Sequence, residues 1–132
     1  MRHLLPALIL VAGLPIATQP IVAHHSEAAE YDSSKPVKVT GVLTKVEWQN
    51  PHVWFHVDVK ETDGSTTTWG FSTAPPGSLM RRGINKTVFK LGEVVNVEGS
   101  RARDGSNNAS GRRVTFADGR NVMTAPAEGG DR

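Results

Sequence analysis

The clearest periodicity in the chain is HVWFHVDVK, residues 52–60. Val53, Phe55, Val57 and Val59 alternate with His52, Trp54, His56 and Asp58. A period of two puts one set on each face of a half-buried strand. ETDGS follows with Asp-Gly at its centre, the signature of a hairpin turn. TTTWGFST (Thr66–Thr73) then returns as a further strand. Upstream, VKVTGVLTKVEW (Val37–Trp48) is β-branched and roughly alternating. Val37 and Val39 share a face, and after Gly41 the apolar phase moves to Val42, Val46 and Trp48. A one-residue shift at a glycine predicts a bulge or sharp bend there. QNP then turns the chain. After the third strand, Ser78 is placed to cap a short helix, with Leu79 and Met80 as its apolar side and Gly83 as its end. Leu91-Gly92 turns the chain into a strand over Val94–Arg101, DGSNNASG reads as a polar loop, and RRVTFADG (Arg112–Gly119) as a fifth strand.

The order is therefore a bent strand, two more strands, a short helix and two strands. This predicts an all-β fold, a small five-stranded OB-like barrel with one short helix between strands 3 and 4. A split β-sandwich or a cradle-like barrel is the main rival. At the start, Arg2 precedes the apolar run Leu4–Val11, and Gly13, Pro15 and Pro20 break any helix before Ala23. That is the plan of a secretory signal peptide, and the run is too short for a bilayer anchor, which needs about 20 residues. A cut after Ala23 fits best; Ala17 and Ala12 fit less well. The expected organisation is a signal peptide over 1–23, an N-terminal arm over 24–35, the barrel domain over 36–120 and a flexible tail over 121–132, which has no periodicity. No membrane span is expected after signal removal, and the location expected is periplasmic or secreted.

Composition narrows the chemistry. The chain has no cysteine, so disulfides, thiolate metal sites and cysteine nucleophiles are all excluded. The formal net charge is +2, too small to argue for nucleic acid as a partner. No Gly-x-Ser-x-Gly elbow, phosphate loop or dinucleotide fingerprint is present. No carboxylate pair is placed on one strand face by its spacing. The sequence therefore supplies no catalytic set, and a non-enzymatic role is expected.

Several stretches resemble, in order and over nearly the whole mature chain, a family of small exported bacterial proteins known as domain of unknown function 6152. They are His24-His25-Ser26, Ala29-Glu30-Tyr31-Asp32, Lys35-Pro36-Val37, Val46-Glu47-Trp48 with Asn50-Pro51-His52 and Trp54, Leu79 with Arg81-Arg82-Gly83, Leu91-Gly92-Glu93, and Arg101 to Asn107. The resemblance implies an exported single domain and supplies no activity.

The candidate chemistry rests on histidines, tryptophans and arginines. A cut after Ala23 would give His24 a free α-amino group beside its imidazole, two nitrogens able to chelate one ion. His25 or His52 would supply a third, and such nitrogen sets suit Cu(II). His52 and His56 are four residues apart on one strand face, about 13 Å at ~3.3 Å per residue, so they are poorly placed to share an ion. His52 is favoured because it begins its strand beside the Asn50-Pro51 turn. The bland alternatives are a polar start that suits the signal peptidase, a turn-stabilising His52 and a surface His56. Trp48, Trp54 and Trp69 could form a stacking platform, or two of them could plug the core. Arg81, Arg82, Arg101, Arg103, Arg112 and Arg113 could grip an anion, or form a solvated, ion-paired face.

The reading these features support is an exported binding module for an unknown ligand or protein partner. Its surface would be Trp48, Asn50, His52, Trp54 and His56. The alternative is a copper carrier or sensor using His24, His25 and His52, and a copper-dependent oxidative enzyme ranks last.

Overall fold

The computed structural model describes residues 27–126. A single helical turn α1 (Glu27–Glu30) leads into a long strand β1 (Tyr31–Glu47). β2 (Trp54–Lys60), β3 (Thr66–Ser72), a short helix α2 (Pro76–Arg81), a 3-10 turn (Lys86–Val88), β4 (Val94–Ala102), β5 (Asn108–Phe116) and β6 (Asn121–Met123) follow. The described residues are mostly strand. They form one six-stranded sheet of order β3-β2-β1-β4-β5-β6, in which β3 also pairs with β5. The β3–β5 pairing is parallel over Gly70–Ser72, while the other pairs are antiparallel. The hydrogen-bonded path β1-β2-β3-β5-β4 thus returns to β1.

Alternation fills the interior as the sequence predicts. Val53, Phe55 and Val57 are buried, whereas His52, Trp54, His56 and Asp58 on the opposite face are half-buried. Phe55 stacks on Phe71 at 5.2 Å and on Phe89 at 5.9 Å between ring centroids. Leu79 of α2 is fully buried in the same cluster. Each such side chain removed from water contributes roughly 1.5–3 kcal/mol, so this cluster is the main source of stability.

β1 serves two partners. Tyr31 to Val42 pairs with β4, and Val42 to Glu47 pairs with β2. The bend expected at Gly41 takes a different form. Val37, Gly41 and Leu43 keep one inward phase and Val42 stays exposed; the register shifts between Leu43 and Lys45, which brings Val46 and Trp48 in. Gly41 instead permits contact: a Cβ there would lie 2.3 Å from the Asp58 carbonyl oxygen.

Other boundaries also move. Residues 31–35, expected in the arm, belong to β1. Ser33, Ser34, Lys35 and Pro36 are all exposed, and the register shifts between Asp32 and Pro36, so no alternation marks this stretch. β5 starts at Asn108 and not at Arg112. Ala109, Ser110 and Gly111 read as loop but are buried, and a Cβ at Gly111 would press on Phe71, Thr73 and Phe55 at 3.3–3.4 Å. The expected tail pairs over Asn121–Met123 with β5. Thr124, fully buried, donates its hydroxyl to the Gly111 carbonyl and its N–H to the Arg112 carbonyl. Three residues are too few to show a period. Ser78 lies within α2, whose first position is Pro76, a residue whose missing N–H costs nothing there. Gly83, at φ 77°, follows the helix end as expected. No helix among the described residues is long and apolar enough to cross a membrane.

Candidate functional site

His52 lies just ahead of β2, and its Nδ1 is 2.7 Å from the Thr73 carbonyl oxygen. A carbonyl only accepts, so Nδ1 carries the proton and donates it. In the neutral ring Nε2 then keeps its lone pair. His56, on the same face of β2, donates Nε2–H to Glu47 Oε2 at 2.9 Å, while Lys45 Nζ lies 3.0 Å from the other Glu47 oxygen. The His56 bond, then Lys45, hold the Glu47 carboxyl below its ordinary value. His56 is therefore engaged in a surface network, whereas His52 presents an unused nitrogen.

The three tryptophans do not form one platform. Trp48 packs on the core, tilted against Phe89 at 6.5 Å, and Trp69 packs on it beside Phe71 at 6.2 Å. Trp69 pairs in register with inward-facing Val57. Trp54 is on the other face, opposite Ser72. Asn50 is exposed at a cis Asn50–Pro51 bend.

The start of the described chain is clamped beside Trp54. Tyr31 is 8% exposed. The Arg103 backbone N–H donates to the Glu30 carbonyl at 2.8 Å, and its side chain Nε donates to the Ala28 carbonyl at 2.9 Å. The Ser110 hydroxyl donates to the Glu27 carboxylate. Burial raises the Tyr31 phenol, with Ser72 partly opposing and nearby carboxylates adding to the rise. Hydrogen bonds from Ser34, then Arg103 and Lys35, lower Asp32. A groove of about 560 Å³ results, lined by Glu30, Tyr31, Trp54, Arg103, Asp104 and Asn108 among others. We call it the rim.

A second groove, of about 470 Å³, lies between β1 and the β2–β3 hairpin and is lined by Lys35, Pro36, Lys38, Val39, Trp69 and Arg101 among others. The arginines are otherwise dispersed: Arg82 donates to the Met123 carbonyl and Arg113 lies 3.8 Å from Glu98. Of the expected ligand surface Trp54 lines the rim groove, while Trp48, Asn50, His52 and His56 are not among its lining residues; Tyr31, Asp104 and Asn108 line it without having been expected there. The one signal for Tyr31 and Asp104 was their place in the family-like stretches 29–32 and 101–107; Asn108 lies just beyond the second. His24 and His25 lie outside the described residues. Among the described residues no group of three or more His, Cys, Asp or Glu is arranged to hold a metal ion.

The chain belongs to a family of unknown function (DUF6152), whose model matches residues 13–112. Neither a curated protein nor a solved structure matches it.

Proposed function

We propose that this chain is an exported, non-enzymatic binding protein on an OB-type barrel, with its ligand site at the rim. The strand circuit β1-β2-β3-β5-β4 with a helix between the third and fourth strands supports the barrel assignment. OB barrels bind ligands on the face of strands 2 and 3 and on the loops joining strands 1–2 and 4–5. The observation that carries the reading is the rim groove itself. It joins Trp54 of β2 to Arg103, Asp104 and Asn108 around the β4–β5 connection. Asn50, His52 and His56 supply the neighbouring loop and strand, and Trp48, packed on the core, is left out of the surface. Export rests on the basic, apolar and small-residue sequence ending at Ala23. A ligand bound only by the folded state must raise the melting temperature. Melts of the mature protein with neutral sugars and uncharged short peptides should show one such rise, absent in Trp54→Ala. A rise retained in that variant, or no rise with any probe, rejects the rim.

A second reading, copper binding, is favoured by His52. Metal-bound histidines have their other ring nitrogen held by a carbonyl or carboxylate, as Thr73 holds Nδ1 here. Glu27 meets Ser110, Ser110 pairs with Ser72, and Ser72 adjoins Thr73. From Glu27 back to His24 the chain spans at most about 10 Å, close to two strand spacings. A cut after Ala23 would free the His24 α-amine, and in this reading that amine, the His24 imidazole and His25 are the further nitrogens that join His52 Nε2. One-to-one Cu(II) binding to the mass-verified secreted protein should be lost in His24→Ala and in His52→Ala. Binding unchanged in both rejects copper. No oxygen uptake with reductant is expected, in keeping with a carrier.

A further inference from the structure

β1 leaves β2 at the pair Val42 and Asp58, and before that point it pairs only with β4. The β2–β3 hairpin continues past Asp58 to the pair Lys60 and Thr66. The second groove is lined by residues 35–39 of the part of β1 that has left β2, by Trp69 of β3 and by Arg101 of β4; we call it the fork. Its apolar lining is Trp69, Pro36, Val37 and Val39. Its edge is cationic: Lys35, Lys38 and Arg101.

The charge there is not balanced in the usual way. The Arg101 guanidinium lies over the Trp69 ring, 5.5 Å from its centroid. Nη2 donates to the Gly105 carbonyl at 3.0 Å and Nε to the Ser106 carbonyl at 3.4 Å. These neutral acceptors fix the guanidinium plane and leave its charge uncancelled. Among the described residues Arg101 has no carboxylate within ion-pair distance, unlike Arg103, Arg113 and Arg120. Lys35 and Lys38 are exposed ammonium groups, 3.8 Å from Asp32 and 3.5 Å from Glu98, in loose surface pairs worth little. A guanidinium fixed over an aromatic ring by neutral acceptors is suited to recognition of a carboxylate.

We propose that the fork binds a small carboxylate-bearing ligand with a flat, apolar body. The carboxylate sits on the free Nη1 side of Arg101, assisted by Lys35 or Lys38. The body lies against Trp69, Pro36 and Val39. This site is separate from the rim, and its test does not depend on copper or on Trp54.

The test is an NMR titration of the mature, ¹⁵N-labelled protein with benzoate, galacturonate, acetate and benzamide. Benzoate should shift the Trp69 indole N–H and the amides of Lys35, Val37, Lys38 and Val39. Galacturonate, whose body is hydroxylated and not flat, should bind more weakly than benzoate. Acetate and benzamide, each lacking half of the recognition, should bind at least tenfold more weakly. Arg101→Gln and, separately, Lys35→Gln with Lys38→Gln should each weaken binding, the first by at least tenfold. The double lysine variant covers the case in which loss of Arg101 disturbs the 105–106 loop. Acetate binding as well as benzoate, binding unaffected by either variant, or no shift at Trp69 with any acid would overturn the proposal.

Discussion

The rim and the fork lie on opposite faces of the β2–β3 ladder and are built in different ways. Side chains chiefly make the rim: Tyr31 is buried, the Arg103 side chain binds the Ala28 carbonyl while its backbone N–H binds that of Glu30, and Ser110 holds Glu27. The backbone makes the fork, because one strand changes partner at Val42. Their arginines differ in the same sense. Arg103 is spent on the chain it clamps and on Asp32, whereas Arg101 keeps an unpaired charge over Trp69. Counting arginines near a groove therefore does not find an anion site; what each guanidinium already touches decides it.

The largest blow to one side of this comparison is Tyr31→Ala. Removing a buried aromatic side chain costs about 3 kcal/mol, a drop of about 15 °C in melting temperature for a domain this small. The Arg103 amide, bonded to the Glu30 carbonyl, should lose hydrogen-exchange protection, while benzoate binding at the fork persists. A loss under 1 kcal/mol would mean that Tyr31 does not clamp the arm. Gly41→Ala strikes the other side. The new Cβ would meet the Asp58 carbonyl oxygen at 2.3 Å, and backbone must move to admit it. A cost of about 2 kcal/mol is expected. The Trp69 indole signal should shift and the Arg103 amide should not; the reverse would put the strain elsewhere.

The sequence revealed the two regions unequally. The alternation around Phe55 was legible because one face is buried and the other is not. So were the turn at Asp63-Gly64 and the helix end at Gly83, where glycine takes a positive φ of 87° and 77°. Gly41 was marked as special, but its reason, a neighbouring backbone carbonyl, belongs to a pairing that local pattern does not encode. The rim was almost illegible. Tyr31 is a lone aromatic among polar residues, and Ala109, Ser110 and Gly111 look like loop because the space they fill is small. Trp54 and Trp69 are equally prominent in the sequence; only register places them on opposite faces.

A smaller effect separates the two arginines. Arg103→Ala removes the side-chain bond to Ala28 and the contact with Asp32. A hydrogen bond of this kind is worth about 1 kcal/mol, so the melting temperature should fall by about 5 °C with exchange of the arm amides accelerated. Arg101→Gln should leave those amides protected. Equal acceleration in both variants would merge the two regions into one cooperative unit.

The smallest effect is a pH dependence confined to the rim. The Tyr31 phenol is raised above its ordinary value of 10.0, chiefly by burial. In the folded protein it therefore holds its proton to higher pH than in the unfolded chain. The stability this contributes is complete below pH 10.0 and is lost as pH rises through the folded value, because the unfolded chain then binds fewer protons than the folded one. Tyr31→Phe keeps the ring and removes the titration. At neutral pH it should be slightly less stable, through loss of the contact with Ser72. Above pH 10 it should lose stability less steeply than the parent, so the two denaturant-midpoint curves converge. Parallel curves would mean that the phenol is as well solvated in the folded protein as in the unfolded chain, and that the arm does not seal over it.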